Sequence, residues 1–290
     1  MKCLVTGGSG FLGSHVADEL TRRGHKVTIF DRKLSKWKKF GQKMITGDLL
    51  NYNFLEKAIK GKDIIFHFAA LSDLSESLYQ PVKTITNNIL GTVYTLELCR
   101  KHKIRRFIHA STIYVNSDQG GFYRSSKKAA EDYVEEYQKR YSLDFTILRF
   151  GSLYGNRSNK NNGVRQIVDN ALKNKEVSYI GTNKTIREYI HIKDAAKATV
   201  DALKNKYKNQ HIVITGKSKI KLPYFLRTLS KLLKIKKEIR FKNKKILGHY
   251  VLSPHTYVPI KGKKFNIKSG INFKKGLKNL VRELKNNKKL

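Results

Sequence analysis

Short apolar runs recur along the first half of the chain, and between them the apolar positions fall at helical spacing. The runs Lys2–Thr6, Lys26–Asp31, Lys43–Thr46, Asp63–Phe68, Arg106–Thr112 and Asp144–Arg149 predict strands. The intervening segments Phe11–Arg23, Asn51–Lys60, Val82–Lys101 and Tyr123–Tyr141 predict helices. Alternation of this kind predicts an α/β fold, a doubly wound parallel sheet with helices on both faces. Ile64-Ile65-Phe66-His67-Phe68 is almost continuously apolar, as a strand covered on both sides requires. A ligand of such a sheet sits at the carboxyl ends of its strands.

After Arg149 the pattern loosens. Gly151–Gly163 reads as a loop rich in Gly, Asn and Ser. Helices are expected over Val164–Lys173, Asp194–Leu203, Leu222–Leu233 and Lys274–Leu284, and strands over Val177–Ile180 and His211–Thr215. The division expected is a nucleotide-binding domain over residues 1–157, rejoined by 186–206, and a smaller lid over residues 158–290 that binds substrate. His249 and Tyr250, with Ser253-Pro254 beyond them, read as a packed loop or as part of that lid.

Composition adds limits. The chain has 290 residues, 40% of them hydrophobic, enough for one large domain with a small appendage. No run approaches the ~18 apolar residues that span a bilayer. The first apolar residues belong to a strand rather than a leader, so a soluble, cytoplasmic protein with no membrane partner is expected. Cys3 and Cys99 fall in a strand and a helix, and no Cys/His cluster has zinc spacing, so no metal is expected. The formal charge is +38, and residues 201–290 hold 26 Lys/Arg against three Asp/Glu. The charge is spread rather than blocked, with few aromatics among it. It reads as compositional drift with nonspecific polyanion binding, not as a specific nucleic-acid site.

Gly7-x-x-Gly10-x-x-Gly13 follows the first strand and opens the first helix. Glycines there permit a tight turn and let main-chain N–H groups, those of Phe11 and Leu12 included, approach a pyrophosphate at the positive helix end. This is the fingerprint of a Rossmann dinucleotide site. Asp31 ends the second strand about 20 residues on, where a carboxylate accepts ribose hydroxyls and repels a 2′-phosphate. That favours NAD, although Arg32 beside it could pair with a 2′-phosphate. Asp48, with Leu49, is placed to reach the adenine or to cap the next helix.

Together these residues resemble the extended short-chain dehydrogenase/reductases, in particular nucleotide-sugar epimerases of the UDP-galactose 4-epimerase type. The likeness covers residues 2–200 and weakens after them. It rests on the glycine loop, Asp31, Gly47-Asp48-Leu49, His67-Phe68-Ala69-Ala70, Asn88-x-x-Gly91-Thr92, Ser111-Thr112, Tyr123-x-x-x-Lys127, Leu148 to Gly155 and Arg187-Glu188-Tyr189-Ile190-His191. The resemblance implies that Phe68, Ala69 and Ala70 line the dinucleotide, that Asn88 orients a loop near it, and that Phe150 faces the nicotinamide. It puts Ser72, Thr112, Ser152 and Arg187 on the substrate side, with Arg187 reaching the diphosphate of the nucleotide sugar. It also implies a homodimer formed through the Val82–Lys101 and Tyr123–Tyr141 helices.

Tyr123 and Lys127 lie one helical turn apart on one face. A phenol of ordinary pKa near ~10 is a poor base at neutral pH. A neighbouring ammonium and a positive nicotinamide ring are expected to draw it toward neutrality. Thr112, with Ser111 as the alternative, is expected to hydrogen-bond the same substrate hydroxyl. The resemblance implies that Tyr123 takes the proton of the sugar C4 hydroxyl during oxidation by NAD, and that the 4-keto sugar turns over before it is reduced on its other face. Relatives that dehydrate or decarboxylate carry an acid just after the catalytic Thr or Ser; here Ile113 and Tyr114 follow. Competing readings are a reductase or dehydrogenase of the same fold and, less directly, an RNA-binding protein on a retained fold.

Overall fold

Alternate side chains of each expected strand face opposite ways, and that alternation divides the apolar residues into two layers. The computed structural model describes residues 1–242, 262–267 and 269–286. His249, Tyr250, Ser253 and Pro254 lie outside the described residues. The nucleotide half runs β1 (Lys2–Thr6), α1 (Phe11–Arg22), β2 (Lys26–Asp31), β3 (Lys43–Thr46), α2 (Tyr52–Ile59), β4 (Ile64–His67), α3 (Leu74–Tyr79), α4 (Pro81–Ile85), α5 (Gly91–Lys101), β5 (Arg106–Thr112), α6 (Gly121–Tyr141) and β6 (Phe145–Phe150). It continues through β7 (Ser152–Tyr154), α7 (Gly163–Asn174), β8 (Ser178–Ile180), β9 (Ile186–Arg187), β10 (Tyr189–His191), α8 (Ile192–Asp201), β11 (Gln210–Ile214), β12 (Ile220–Lys221), α9 (Leu222–Leu233), β13 (Arg240–Lys242), β14 (Lys263–Lys264) and α10 (Phe273–Asn286).

The main sheet has eight strands in the order β14-β11-β6-β5-β4-β1-β2-β3, every pair parallel. Cys3, Val5, Phe66, Ile108 and Leu148 face one layer with Val16, Leu20 and Ala195, so α1 and α8 cover that side. Leu4, Ile65, Phe107 and Ile147 face the other, with Leu55, Leu96 and Val134 from α2, α5 and α6. A third cluster sets Val168 of α7, Phe225 of α9 and Leu280 of α10 around Tyr154. Connections leave β1 and β4 for opposite halves of the sheet, which opens a crevice at their carboxyl ends.

Four differences from expectation have physical causes. The helix expected over Val82–Lys101 is α4 and α5 joined by a π turn, Thr86–Leu90. The extra residue coincides with Asn88, whose side chain leaves the helix for a neighbouring loop. The expected loop after Gly151 begins with β7, three residues held only by parallel pairing with β10, which no periodicity announces. Helix α3 is started by Asp73, whose carboxylate accepts the Glu76 N–H at 2.8 Å. The return to the main sheet also runs beyond 186–206, because β11 and β14 join its edge.

Candidate active site

The glycine loop is shaped by contacts rather than by flexibility alone. Gly7 has φ +68°, and a Cβ there would lie 2.6 Å from the Ala69 nitrogen. A Cβ on Gly13 would lie 2.2 Å from the Gly7 oxygen. Only glycine lets β1, the first turn of α1 and the end of β4 meet this closely. Helix α1 has neither a side-chain cap nor an acidic residue in its first turn. Its leading N–H groups, at Phe11, Leu12 and Gly13, and its positive end fit a pyrophosphate.

Asp31 ties this loop to β2. Its two oxygens accept the Ser9 N–H at 3.0 Å and the Lys33 N–H at 3.1 Å. Arg32 beside it is exposed. Asp48 is exposed and accepts the Leu50 N–H at 2.9 Å. It is not the cap of α2, because Asn51 holds that place through the Phe54 N–H at 3.1 Å. The Leu49 side chain is in the core, where a Cβ on Gly91 would meet it, which leaves its main chain to face a ligand. Phe68, Ala69 and Ala70 are half-buried where β4 ends.

A directed chain of hydrogen bonds sets the Ala69 and Asn88 positions. The Ala69 N–H donates to Thr6 Oγ1 at 3.3 Å, and Thr6 lies 3.0 Å from His67 Nδ1. His67 Nε2 is 3.1 Å from Thr92 Oγ1, which donates to the Asn88 carbonyl at 2.7 Å. With the Thr92 proton committed, His67 carries its own on Nε2 and is neutral. Burial, reinforced by Lys127, lowers it to about 3. The Asn88 amide accepts the Leu71 N–H at 2.7 Å and donates to the Leu71 carbonyl and Ser126 Oγ, both at 3.0 Å. It thereby clamps the loop of Leu71 and exposed Ser72 to α6.

Helix α6 begins at two glycines of positive φ, Gly120 and Gly121. The start puts half-buried Tyr123 at the ends of the central strands, near Thr112. Thr112 ends β5, and Ser111 before it faces the opposite way, toward Glu131. Burial pushes the Tyr123 phenol up to about 12, with Thr112 pulling the other way. The ammonium expected to draw it toward neutrality is engaged elsewhere, since Lys127 donates to the Ala110 carbonyl at 2.7 Å. Burial also lowers Lys127 to about 8, with Glu131 pulling the other way.

The remaining expected residues stand apart. Phe150 ends β6 within the core layer of α1 and α8. Ser152 opens β7 and is half-buried, and Arg187 is buried in β9. Glu188 is buried and accepts from Thr215 at 2.9 Å and Lys264 at 2.8 Å. Sequence reasoning missed Thr6, Ser126 and His109, whose contacts cross between elements. It also passed over Glu131, although Tyr123, Lys127 and Glu131 repeat every four residues along one helix face.

A glycine-lined helix start and the Tyr123, Thr112 and Lys127 side chains, together at one end of a doubly wound sheet, fit a dinucleotide-dependent enzyme. Residues 3–215 match the model of the NAD dependent epimerase/dehydratase family, and the chain belongs to that family. Membership makes NAD its cofactor, in agreement with the cradle and Asp31. A putative UDP-glucose 4-epimerase of Methanocaldococcus jannaschii is 30% identical over 98% of each chain. A dTDP-D-glucose 4,6-dehydratase of Dictyostelium discoideum is also 30% identical, over 68% of this chain, which spans about half its length (54%). In fold, UDP-glucuronic acid 4-epimerase from Bacillus cereus, solved with UDP-glucuronic acid and NAD, superposes with a TM-score of 0.86 over 99% of this chain and 100% of its own, at 24% identity.

Proposed function

We propose that the protein is an NAD-dependent epimerase acting at C4 of a nucleotide-activated hexose, a UDP sugar in the first instance. The observation carrying this reading is Tyr123 near Thr112, with Lys127 one turn behind on the same helix and no acid following Thr112. Ile113 is buried there, Tyr114 is half-buried, and the next acid, Asp118, is exposed. A second acid at the sugar would be needed to move a C5 proton, as dehydration requires. Full-length likeness to the M. jannaschii putative 4-epimerase supports the same choice.

Bound NAD supplies the acceptor and returning donor of hydride, together with a positive ring. Tyr123 takes the C4 hydroxyl proton and later gives it back. Thr112 holds that hydroxyl in line. Lys127 holds the cofactor ribose, and the positive charge beside the phenol comes from the cofactor ring. That charge is needed, because in the free chain the phenol is protonated at neutral pH. Phe11, Leu12, Gly7, Gly10 and Gly13 hold the pyrophosphate, Asp31 the adenosine ribose, and Asp48 the adenine side. Phe68, Ala69, Ala70 and Phe150 border the dinucleotide, and Ser72, Ser152 and Arg187 the substrate.

The third apolar cluster, built by α7, α9 and α10, serves as the substrate-binding half. Exposed Val82, Ile85 and Leu90 beside Tyr133 and Tyr141 of α6 support a homodimer through these helices. Buried, free Cys3 and Cys99 support a reducing compartment, the cytoplasm. Incubation of purified protein with UDP-glucose, UDP-galactose and their N-acetyl forms, without added cofactor, tests the activity. Interconversion of a C4 pair is expected. Net conversion that needs added NADPH, or that accumulates NADH, would replace the epimerase with a reductase or dehydrogenase.

A further inference from the structure

The segment between β2 and β3 does nothing in the chemistry above beyond its first residue. Residues 32–42 hold Arg32, Lys33, Lys36, Lys38 and Lys39 and no acid. Lys39 pairs with Asp18 at 3.2 Å. Among the described residues the other four cations make no ion pair. Lys43 and Lys62 extend the basic surface along a hollow that Leu34 and Lys38 also line.

The same segment exposes apolar side chains at every third position. Leu34 is 75% exposed, Phe40 fully so at 102%, and Trp37 39%. They are held out by structure behind them. Arg157 lies 4.9 Å from the Trp37 ring centroid and pairs with Asp18 at 2.8 Å, so one buried-side carboxylate braces the loop through Arg157 and Lys39. Cations alone would suit any polyanion. An exposed leucine and phenylalanine gain nothing from a phosphate backbone, and Leu34 has no ring to stack on a base. The boundary between lipid headgroups and acyl chains rewards apolar side chains and cations together.

We infer that the Arg32–Gln42 loop docks the protein on an anionic lipid surface, with Leu34 and Phe40 entering the interface and the lysines meeting headgroups. No described helix is long and apolar enough to cross a membrane, so the contact is peripheral.

Trp37 is the only tryptophan of the chain and reports on its own loop. Full-length protein is mixed at 0.1 M salt with vesicles of phosphatidylcholine alone, or of equal phosphatidylglycerol and phosphatidylcholine. Trp37 emission and co-sedimentation are then followed. Blue-shifted emission and co-sedimentation are expected with the anionic vesicles only. Leu34→Ser with Phe40→Ser weakens that partition about tenfold or more. Lys36→Ala and Lys38→Ala weaken it about fivefold each. An unchanged thermal midpoint shows that the variants remain folded. The inference is overturned if wild-type protein ignores anionic vesicles. It is overturned if the Leu34/Phe40 variant binds them equally well, since bulk charge would then be the cause. Equal weakening of poly(U) and vesicle binding by that variant would make the loop a general polyanion site and end the lipid assignment.

Discussion

Two successive turns of α6 bury a charge each and treat it oppositely. Lys127 and Glu131 are both 3% exposed and lie on one helix face. Both Glu131 oxygens bind Arg149, at 3.0 and 2.6 Å, and His211 approaches one of them at 3.6 Å. Burial pushes Glu131 up, yet its contacts with His211 and Arg149 outweigh that and hold it below the usual carboxylate range. Lys127 has the Ala110 carbonyl and no carboxylate within ion-pair distance among the described residues, so burial prevails and its pKa falls to about 8. Its other neighbours, the stacked His67 and His109, are both held neutral by burial first and then by Lys127 itself. A fully paired buried charge holds elements together; a buried charge left without its opposite is kept for chemistry, at a cost to stability.

The largest effect expected from separating these roles is at Tyr123. Tyr123→Phe should cut turnover about 10²- to 10⁴-fold while urea unfolding and NAD content stay near wild type. Near-normal activity in that variant would remove Tyr123 from proton transfer. Next comes the paired turn: Glu131→Ala should cost about 3–5 kcal/mol, read by urea unfolding, because buried Arg149 loses both of its contacts with the carboxylate. A loss below ~1 kcal/mol would show the pair is no scaffold. Lys127→Met should carry the opposite sign, losing activity but gaining about 2 kcal/mol at pH 7, where the buried ammonium bears its whole penalty. A destabilised Lys127→Met would erase the contrast.

The subtlest test is the pH dependence of that gain. Lys127 titrates at about 8 when folded, against 10.5 ordinarily. Between those values the unfolded chain binds more protons than the folded one, so stability contributed at this site rises with pH. The advantage of Lys127→Met over wild type should therefore shrink as pH goes from 8 toward 10.5, measured as paired guanidinium midpoints. A constant gap would mean that the burial penalty is not at Lys127.

Much of the nucleotide half can be read along the chain because its signals are local. The strands from Lys2–Thr6 to Arg106–Thr112 appear within a residue or so of expectation; the inner ones among them are buried on both faces and so must be largely apolar. The glycine loop, Asp31 and the Tyr123–Lys127 spacing need only their own turn or helix to be recognised. The second half resists because β7, β9 and β12 are two or three residues long and exist only by pairing with distant strands.

At the site itself the division is the same. Residue types and spacing already specified a dinucleotide cradle and a tyrosine one turn from a lysine. Folding across elements turned Ser111 toward Glu131, sent the Asn88 side chain into the Leu71 loop, and put the Leu49 side chain in the core. It also turned Lys127 toward Ala110 instead of Tyr123, and raised the phenol instead of lowering it. Spacing along a helix says which side chains share a face. Whether that face is wet, buried or opposite a carboxylate depends on strands 17 to 80 residues away, and burial is what sets the protonation of each group.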